Sequence, residues 1–384
     1  MLGMTKGGRR FRLEAVVGRT FSKTEERKIR KTDAIPAKNA AGGKAFRGRN
    51  VNIKELAAHL GLSQTTVSRV MNDSATEYRI AADTQQRVLE AAASLNYEPN
   101  AFARGLRKKR SFTLGVMVPE ISEGYAATVL AGIGESLLQE KYFYFVVSHR
   151  HRPELLRSYP RLLLSRAVEG IIAVDTPVRE ELPVPIIAVS GNSRKNGILT
   201  IELDHETAAR YALSHLFDLG HRKIAFIKGQ SFSADTSARW AGIRKACSAL
   251  GIRIRPALVV QLEGNEPGSQ PGYVATRKLL KQGGQFSAIF AFNDISAIGA
   301  IIALHEAGIS VPAKVSVIGF DDISSASTNN PALTTVRQPL YEMGRTAAST
   351  LLRQIREGGS ARRPESILVS PCLIKRRSTD RAPH

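Results

Sequence analysis

Leu62-Ser63-Gln64-Thr65-Thr66-Val67-Ser68-Arg69-Val70-Met71-Asn72 is the stretch on which the reading of this chain turns. Ser63 is a residue type that caps a helix, and Val67, Val70 and Met71 then recur on one side of a short one. That spacing leaves Gln64, Thr65, Ser68 and Arg69 on the opposite, exposed side. Glutamine can pair bidentately with adenine and arginine with guanine or phosphate, while threonine offers a hydroxyl or a methyl. On an isolated helix the same face reads equally well as solvated polar surface, so its surroundings decide. Upstream, Ile53, Leu56, Ala57 and Leu60 recur at helical spacing and Gly61 follows as a stop. Downstream, a polar stretch from Asn72 to Arg79 leads to a third helix from about Ala82 to Leu95, with Val88, Leu89, Ala92 and Leu95 inward. Three short helices with a three- or four-residue turn between the first two make a helix-turn-helix unit. Its second helix presents base-reading residues from its N-terminal end, where Gln64 and Thr65 sit.

Outward from this unit the charge is uneven. Residues 1–50 carry 14 Lys or Arg against Glu14, Glu25, Glu26 and Asp33, with Gly7-Gly8, Ala40-Ala41-Gly42-Gly43 and no sustained apolar period. They read as a disordered basic arm. The arm is either dispensable, or begins upstream of the true start, or adds non-specific attraction to phosphates. On the other side Arg104, Arg107, Lys108, Lys109 and Arg110 cluster in a linker. Beyond Thr113, apolar runs at 114–118, 143–147, 170–174, 186–189, 224–227, 288–292 and 315–318 alternate with helical stretches at 126–139, 206–219, 239–250, 272–280, 295–307 and 341–355. Fully apolar strands alternating with helices predict parallel sheets covered on both faces, and their number exceeds one sheet. The expectation is a two-lobed, doubly wound α/β core, with the last helix returning to the first lobe.

Composition narrows the function classes. A formal net charge of +21 points to a polyanionic partner, either nucleic acid or an anionic membrane surface. The second choice weakens because no run of 18 apolar residues occurs and no secretory apolar stretch follows the basic N-terminus. Two cysteines, Cys247 and Cys372, fit a reducing cytoplasm rather than a disulfide framework. His149 and His151 are flanked by Arg150 and Arg152, which would repel a metal cation. No phosphate loop, nucleophile elbow or metalloprotease signature is found. The expectation is a non-enzyme without cofactor, metal or catalytic residues.

Residues 52–110 closely resemble the DNA-binding headpiece of the lactose/galactose-repressor family. The match runs through Ile53-Lys54-Glu55-Leu56-Ala57, Thr66-Val67-Ser68-Arg69-Val70, Asn72, Thr84, Arg87-Val88-Leu89, Tyr97-Glu98-Pro99-Asn100 and Ala103-Arg104-Gly105-Leu106-Arg107, and the likeness continues to about residue 377. It implies a helix-turn-helix headpiece at 51–98, a hinge at 99–110, a periplasmic-binding-protein-like two-lobed core at 111–377 and a tail at 378–384. It implies DNA contacts from Ser63, Gln64, Thr65, Thr66, Ser68, Arg69 and Asn72. In the family, the stretch matching Asn100–Leu106 folds into a helix only on operator DNA. Asn100 and Arg104 would then lie on the duplex, and Leu106 takes the position of a leucine that wedges into the minor groove.

The resemblance also implies an effector cleft. Arg239 in Ser237-Ala238-Arg239-Trp240-Ala241-Gly242 matches an arginine that grips the effector, and Asn293-Asp294 and Asp321 match further cleft positions. Each acidic pair follows an apolar strand, where doubly wound folds bind ligands. Tyr125 retains an aromatic where the family has an Asn-Pro-Phe-Phe-like segment, but Ser122-Glu123-Gly124 departs from it. The Gly- and Pro-rich loop 263–270 lacks the stacking ring that some sugar-binding members place there. The alternatives are structural: Asp294 and Asp321 as helix caps, and Arg239 as half of an ion pair. The implied protein is a homodimeric transcription regulator, tetramer not excluded, that binds a double-stranded operator and a sugar or related metabolite in the cytoplasm.

Overall fold

The computed structural model describes residues 51–72, 75–76, 78–97, 110–121, 124–178, 180–191, 198–233, 235–264, 266–358 and 366–383. They fall into two compact units that divide at residues 99–100. The arm at 1–50 and the hinge positions Asn100, Arg104 and Leu106 lie outside the described residues, as do Ser122 and Glu123.

In the first unit, α1 (Ile53–Leu60) opens on a capping box. Asn52 Oδ1 accepts from the Lys54 and Glu55 amides, and Glu55 returns a carboxylate oxygen to the Asn52 N–H. It stops at Gly61, whose φ of 67° is cheap only for glycine. Then α2 (Gln64–Met71) and α3 (Ala82–Ser94) close around a core of Leu56, Val67, Val70, Val88 and Ala92. Leu89, read as inward, is 52% exposed; the inward positions of α3 are Val88, Ala91 and Ala92.

The second unit holds two sheets. The first is built from β1 (Thr113–Val118), β2 (Phe143–Ser148), β3 (Ile171–Val174), β4 (Ile186–Val189), β5 (Leu199–Leu203) and β11 (Ile367–Val369), in the order β11-β5-β4-β3-β1-β2, all parallel. The second is built from β6 (Ile224–Lys228), β7 (Val259–Gln261), β8 (Ala288–Ala291), β9 (Ser316–Asp321), β10 (Thr334–Arg337) and β12 (Cys372–Ile374). Its order is β12-β10-β9-β8-β6-β7, and only β12 runs antiparallel. Strands such as Ile171–Val174 are buried at every position, as strands covered on both faces must be.

The helices of the first lobe are α4 (Gly124–Gln139) and α5 (Pro153–Ser165). Those of the second are α6 (His205–Asp218), α7 (Asp235–Ala249), α8 (Gln270–Lys281), α9 (Asp294–Glu306) and the short α10 (Ser324–Thr328). The last helix, α11 (Leu340–Arg356), returns to the first lobe, where Met343, Ala347 and Leu351 join the core under β1, β3 and β4. The chain therefore passes between lobes three times: after β5, between β10 and α11, and between β11 and β12.

Strands β5, β7, β10, β11 and β12 and helices α5 and α10 escape the reading from sequence, and three of them show physical reasons. Polar Thr200 and Glu202 interrupt β5, and β10 begins with two threonines whose polar groups are satisfied by Ser378 and Asp294. Pro160 stands inside α5, where it lacks an N–H to donate. The expected tail at 378–384 is also corrected. Ser378 is fully buried, accepting from Thr334 N at 2.8 Å and donating to Val317 O at 2.6 Å. The Asp380 carbonyl meets His221 Nε2 at 2.9 Å, and Ala382 N donates to Leu219 O at 2.8 Å. These residues are part of the second lobe.

Candidate functional site

Two sites emerge, one in each unit. At the first, Ser63 caps α2: its Oγ accepts from Thr66 N at 3.0 Å and lies 2.8 Å from Thr66 Oγ1. Ser63 and Thr66 thus spend their side chains on the helix start, which leaves Gln64 and Thr65 exposed on the first turn. Arg69 stands one turn further along, its guanidinium 3.6 Å over the ring of Tyr78. Ser68 is the correction here. It is only 9% exposed rather than on the open face, and Asn72 Nδ2 donates to its carbonyl at 2.6 Å, so Asn72 closes the helix end. The side chains this unit offers outward from α2 are Gln64, Thr65 and Arg69.

The second site is a cleft of about 1150 Å³ between the two lobes of the core. Tyr125, Arg239, Asn293 and Asp321, the four expected effector residues, all line it. It opens beyond the carboxyl ends of β1, β2, β3, β6, β8 and β9, where the backbone turns and polar side chains can converge.

Arg239 is 3% exposed and organises the floor. Its guanidinium lies between the rings of Phe320 (3.7 Å) and Phe292 (4.4 Å). One amino group donates to the Phe292 carbonyl at 2.5 Å, and the other lies 3.5 Å from Asp235 Oδ2. Among the described residues, no hydrogen bond reaches its Nε or the buried hydroxyl of Tyr125. A buried donor without a partner is costly, so groups like these are suited to a ligand.

Both structural alternatives for these residues are present in part. Arg239 does form an ion pair, with Asp235 one helical turn before it. Asn293, not an aspartate, caps α9: its Oδ1 accepts from Ser296 N at 2.9 Å, and its amide N–H groups are the donors it can offer a ligand. Asp294 does not line the cleft; fully buried, it accepts from Thr335 Oγ1 at 2.5 Å and Ile323 N at 2.9 Å.

The carboxyl groups of the floor are held in different states. Burial alone would raise Asp235, but the nearby His205 ring and Arg239 guanidinium outweigh it and hold the group down at about 2. Burial dominates at Asp321 and pushes it up to about 7, against the opposing pull of Arg239 and the Gln338 amide, which donates at 2.6 Å. Gln338 itself sits on the crossing between β10 and α11, so the cleft floor is tied directly to an interlobe connection.

A pH dependence follows. Asp321 keeps its proton in the folded chain up to about pH 7 and loses it near pH 4 when unfolded, so its contribution to stability falls as pH rises through that window. His149 and His151, both pushed down to about 4 by burial, work in the opposite sense up to about pH 6.5. The prediction is therefore a difference: Asp321→Asn, measured by thermal melts, gains stability relative to the parent between pH 5 and 8. A constant difference across that range would refute it.

Of the cleft residues that sequence reasoning missed, four matter most for a ligand. Asp175 follows β3 as Asp321 ends β9, and Asp235 precedes Arg239 by one helical turn; either rule could have found them. His151 and Phe232 had no such signal. Their rings meet across the cleft with centroids 4.2 Å apart and planes tilted by 35°, so the aromatic surface lacking in loop 263–270 comes from another loop. His149 is a support: its Nδ1 accepts from His151 N at 3.0 Å, so its Nε2 carries the proton toward Thr176 Oγ1 at 2.9 Å.

Comparison with known proteins gives consistent matches in both units. Residues 52–100 match the family model described as bacterial regulatory proteins, lacI family, and residues 213–379 match a periplasmic binding protein-like domain. The HTH-type transcriptional repressor PurR of Haemophilus influenzae is 32% identical over 337 residues, 85% of this chain and 98% of that one. Catabolite control protein A of Priestia megaterium is 31% identical over 312 residues, 79% and 92% of the two chains. Among solved structures, a lac repressor dimer bound to operator and the anti-inducer ONPF superposes with a TM-score of 0.76 at 29% identity, covering 86% of this chain and all of that one. A complex of the transcriptional regulator CelR with cellobiose gives 0.63 at 26%, with the same coverage.

Proposed function

The chain belongs to the lacI family of bacterial regulatory proteins, and from that premise we propose that it is a transcriptional repressor whose hold on DNA is set by a small molecule in the interlobe cleft. The observation that carries this reading is the pairing, in one chain, of a capped helix offering Gln64, Thr65 and Arg69 with a two-lobed core whose cleft holds a clamped arginine.

The regulator works as a homodimer, since one headpiece of this size buries too little surface for tight specific binding. Two-fold symmetry then matches a pseudopalindromic operator. Gln64, Thr65 and Arg69 read base edges in the major groove. Ser63, Thr66 and Asn72 hold the reading helix against the backbone, and Ser68 packs beneath it. Asn100, Arg104 and Leu106 serve the hinge, with Leu106 as the apolar wedge at the dimer centre. The basic balance of the chain supplies the salt-sensitive, sequence-independent part of the affinity.

The effector is a hydroxyl-rich metabolite of sugar size. Asp175, Asp235 and Asp321 offer acceptors, Arg239 and the Asn293 amide offer donors, and the His151–Phe232 pair offers a face on which a ring can stack. The resolved CelR complex with cellobiose supports this class for a relative of the same fold. Closure of the lobes on the ligand shifts the crossing that carries Gln338, coupling cleft to DNA by about 1–3 kcal/mol.

Selection from random duplexes with the purified full chain, repeated with candidate metabolites, tests the reading. A pseudopalindromic motif is expected. No enriched motif in any condition would defeat it. With that operator in hand, Arg69→Ala and Gln64→Ala are each expected to weaken it about ten-fold or more while leaving non-specific DNA nearly unchanged. Equal losses on both DNAs would mean that neither side chain reads bases.

A further inference from the structure

The segment between α2 and α3 looks from sequence like polar filler, yet it presents an aromatic ring to the reading helix. Tyr78 is 52% exposed and does not belong to the headpiece core, so packing does not account for it. Its position is nevertheless held from both sides. Ile80 N donates to Ala75 O at 3.0 Å, closing a turn around it, and Arg79 N donates to Thr76 O at 3.2 Å. Ala75 is buried, Ile80 packs on the core, and Gln85 Nε2 ties the Ile80 carbonyl to α3 at 2.7 Å. What this anchored turn carries is a phenol ring under the Arg69 guanidinium, 3.6 Å from its central carbon.

A guanidinium is a flat group with two faces and an in-plane fork of N–H donors. Stacking uses a face. The fork, which matches guanine O6 and N7, stays in the plane and remains able to donate. A ring beneath Arg69 therefore restricts where the fork can point without consuming the donors that read DNA. It also removes rotamers that the long side chain would otherwise give up on binding, so less entropy is lost at the operator.

We infer that Tyr78 is a positioning residue for Arg69, fixing the guanidinium before DNA arrives and thereby sharpening the base preference at the operator step that Arg69 reads. This rests on the reading of α2 as the base-reading helix. The contact is made by a segment outside α1, α2 and the turn between them, so specificity at that step is set partly by the loop that follows the reading helix.

The test is a motif selection and competition binding with the full chain carrying Tyr78→Ala, Tyr78→Phe, Arg69→Ala, or Tyr78→Ala with Arg69→Ala. Tyr78→Ala should lower operator affinity by up to about five-fold, the scale of one exposed cation–π contact, and relax preference at the same base pair as Arg69→Ala. Tyr78→Phe keeps the ring and should retain the preference, and the double variant should be no weaker than Arg69→Ala alone. Thermal melts of Tyr78→Ala should match the parent, because the side chain is exposed. The positioning role is overturned if Tyr78→Ala keeps the preference while Arg69→Ala loses it, or if Tyr78→Phe fails as badly as Tyr78→Ala, which would mark a hydroxyl contact instead. It is overturned also if the two alanine effects add. If Arg69→Ala leaves the motif unchanged, the base-reading assignment itself falls, and with it the role of Tyr78.

Discussion

Gly132→Ala is expected to destabilise the first lobe by about 2 kcal/mol, although alanine is the better helix former. Gly132 lies in α4 where that helix crosses α11, and a Cβ there would stand 2.0 Å from the Tyr341 carbonyl oxygen and 3.1 Å from Arg345 N. Gly344 on α11 mirrors it, with a Cβ 2.1 Å from the Val129 carbonyl oxygen. Both obstacles are backbone atoms, so no rotamer change relieves them; the helices must separate along a contact that also buries Val129, Ile133, Met343 and Ala347. Overpacking of this kind costs about 3 kcal/mol, against which alanine returns roughly 1 kcal/mol of helix propensity. Because either methyl forces the same separation, Gly132→Ala with Gly344→Ala should cost well under twice one of them. Urea unfolding followed by circular dichroism reads this directly. A midpoint that rises, as propensity alone would require, would show that the helices do not pack backbone to backbone.

Glycine positions of this sort were invisible in the sequence, whereas the sheets of the two lobes were legible. Strands such as Ile171–Val174 and Ile186–Val189 are apolar at every position because both faces are covered, and that condition writes itself into consecutive residues. Ser63 was legible for a local reason: a cap depends on residues three apart. Thr334, Thr335 and Ser378 were not, because each is buried on the strength of a hydrogen bond to a partner dozens of residues away. Leu89 failed through the helical period itself. Adjacent Val88 and Leu89 both fit the apolar stripe, and only the placement of α1 and α2 gives the inward side to Val88.

The cleft divides along the same line. Arg239, Asn293 and Asp321 were found through a family pattern and the rule that ligands gather beyond strand ends, while Phe232 and His151 meet only because two loops from different lobes face each other. Asp235 was passed over because the reading from sequence began its helix at residue 239; the helix starts one turn earlier, at Asp235, whose carboxylate neutralises that arginine.

That pairing sets the second large effect. Arg239→Ala removes a guanidinium held by two rings, a carbonyl and a carboxylate, and leaves the Asp235 charge buried with, among the described residues, the Gly191 amide at 3.4 Å and the His205 ring at 3.8 Å. Breaking a buried pair from one side costs about 3–5 kcal/mol, and these remaining partners put the expected loss near the lower figure. Arg239→Lys should restore little, because an ammonium neither stacks between two phenyl rings nor reaches the Phe292 carbonyl and Asp235 in one plane. Asp235→Asn combined with Arg239→Met removes both charges and fills similar volume, so most of the stability should return. Its response to effector should not. If the arginine serves the ligand as well as the fold, this double variant melts near the parent yet shows no thermal shift with a metabolite that shifts the parent. A double variant that recovers stability and still responds would reduce Arg239 to half of a structural ion pair, and the cleft's donor would have to be sought at Asn293 or Tyr125.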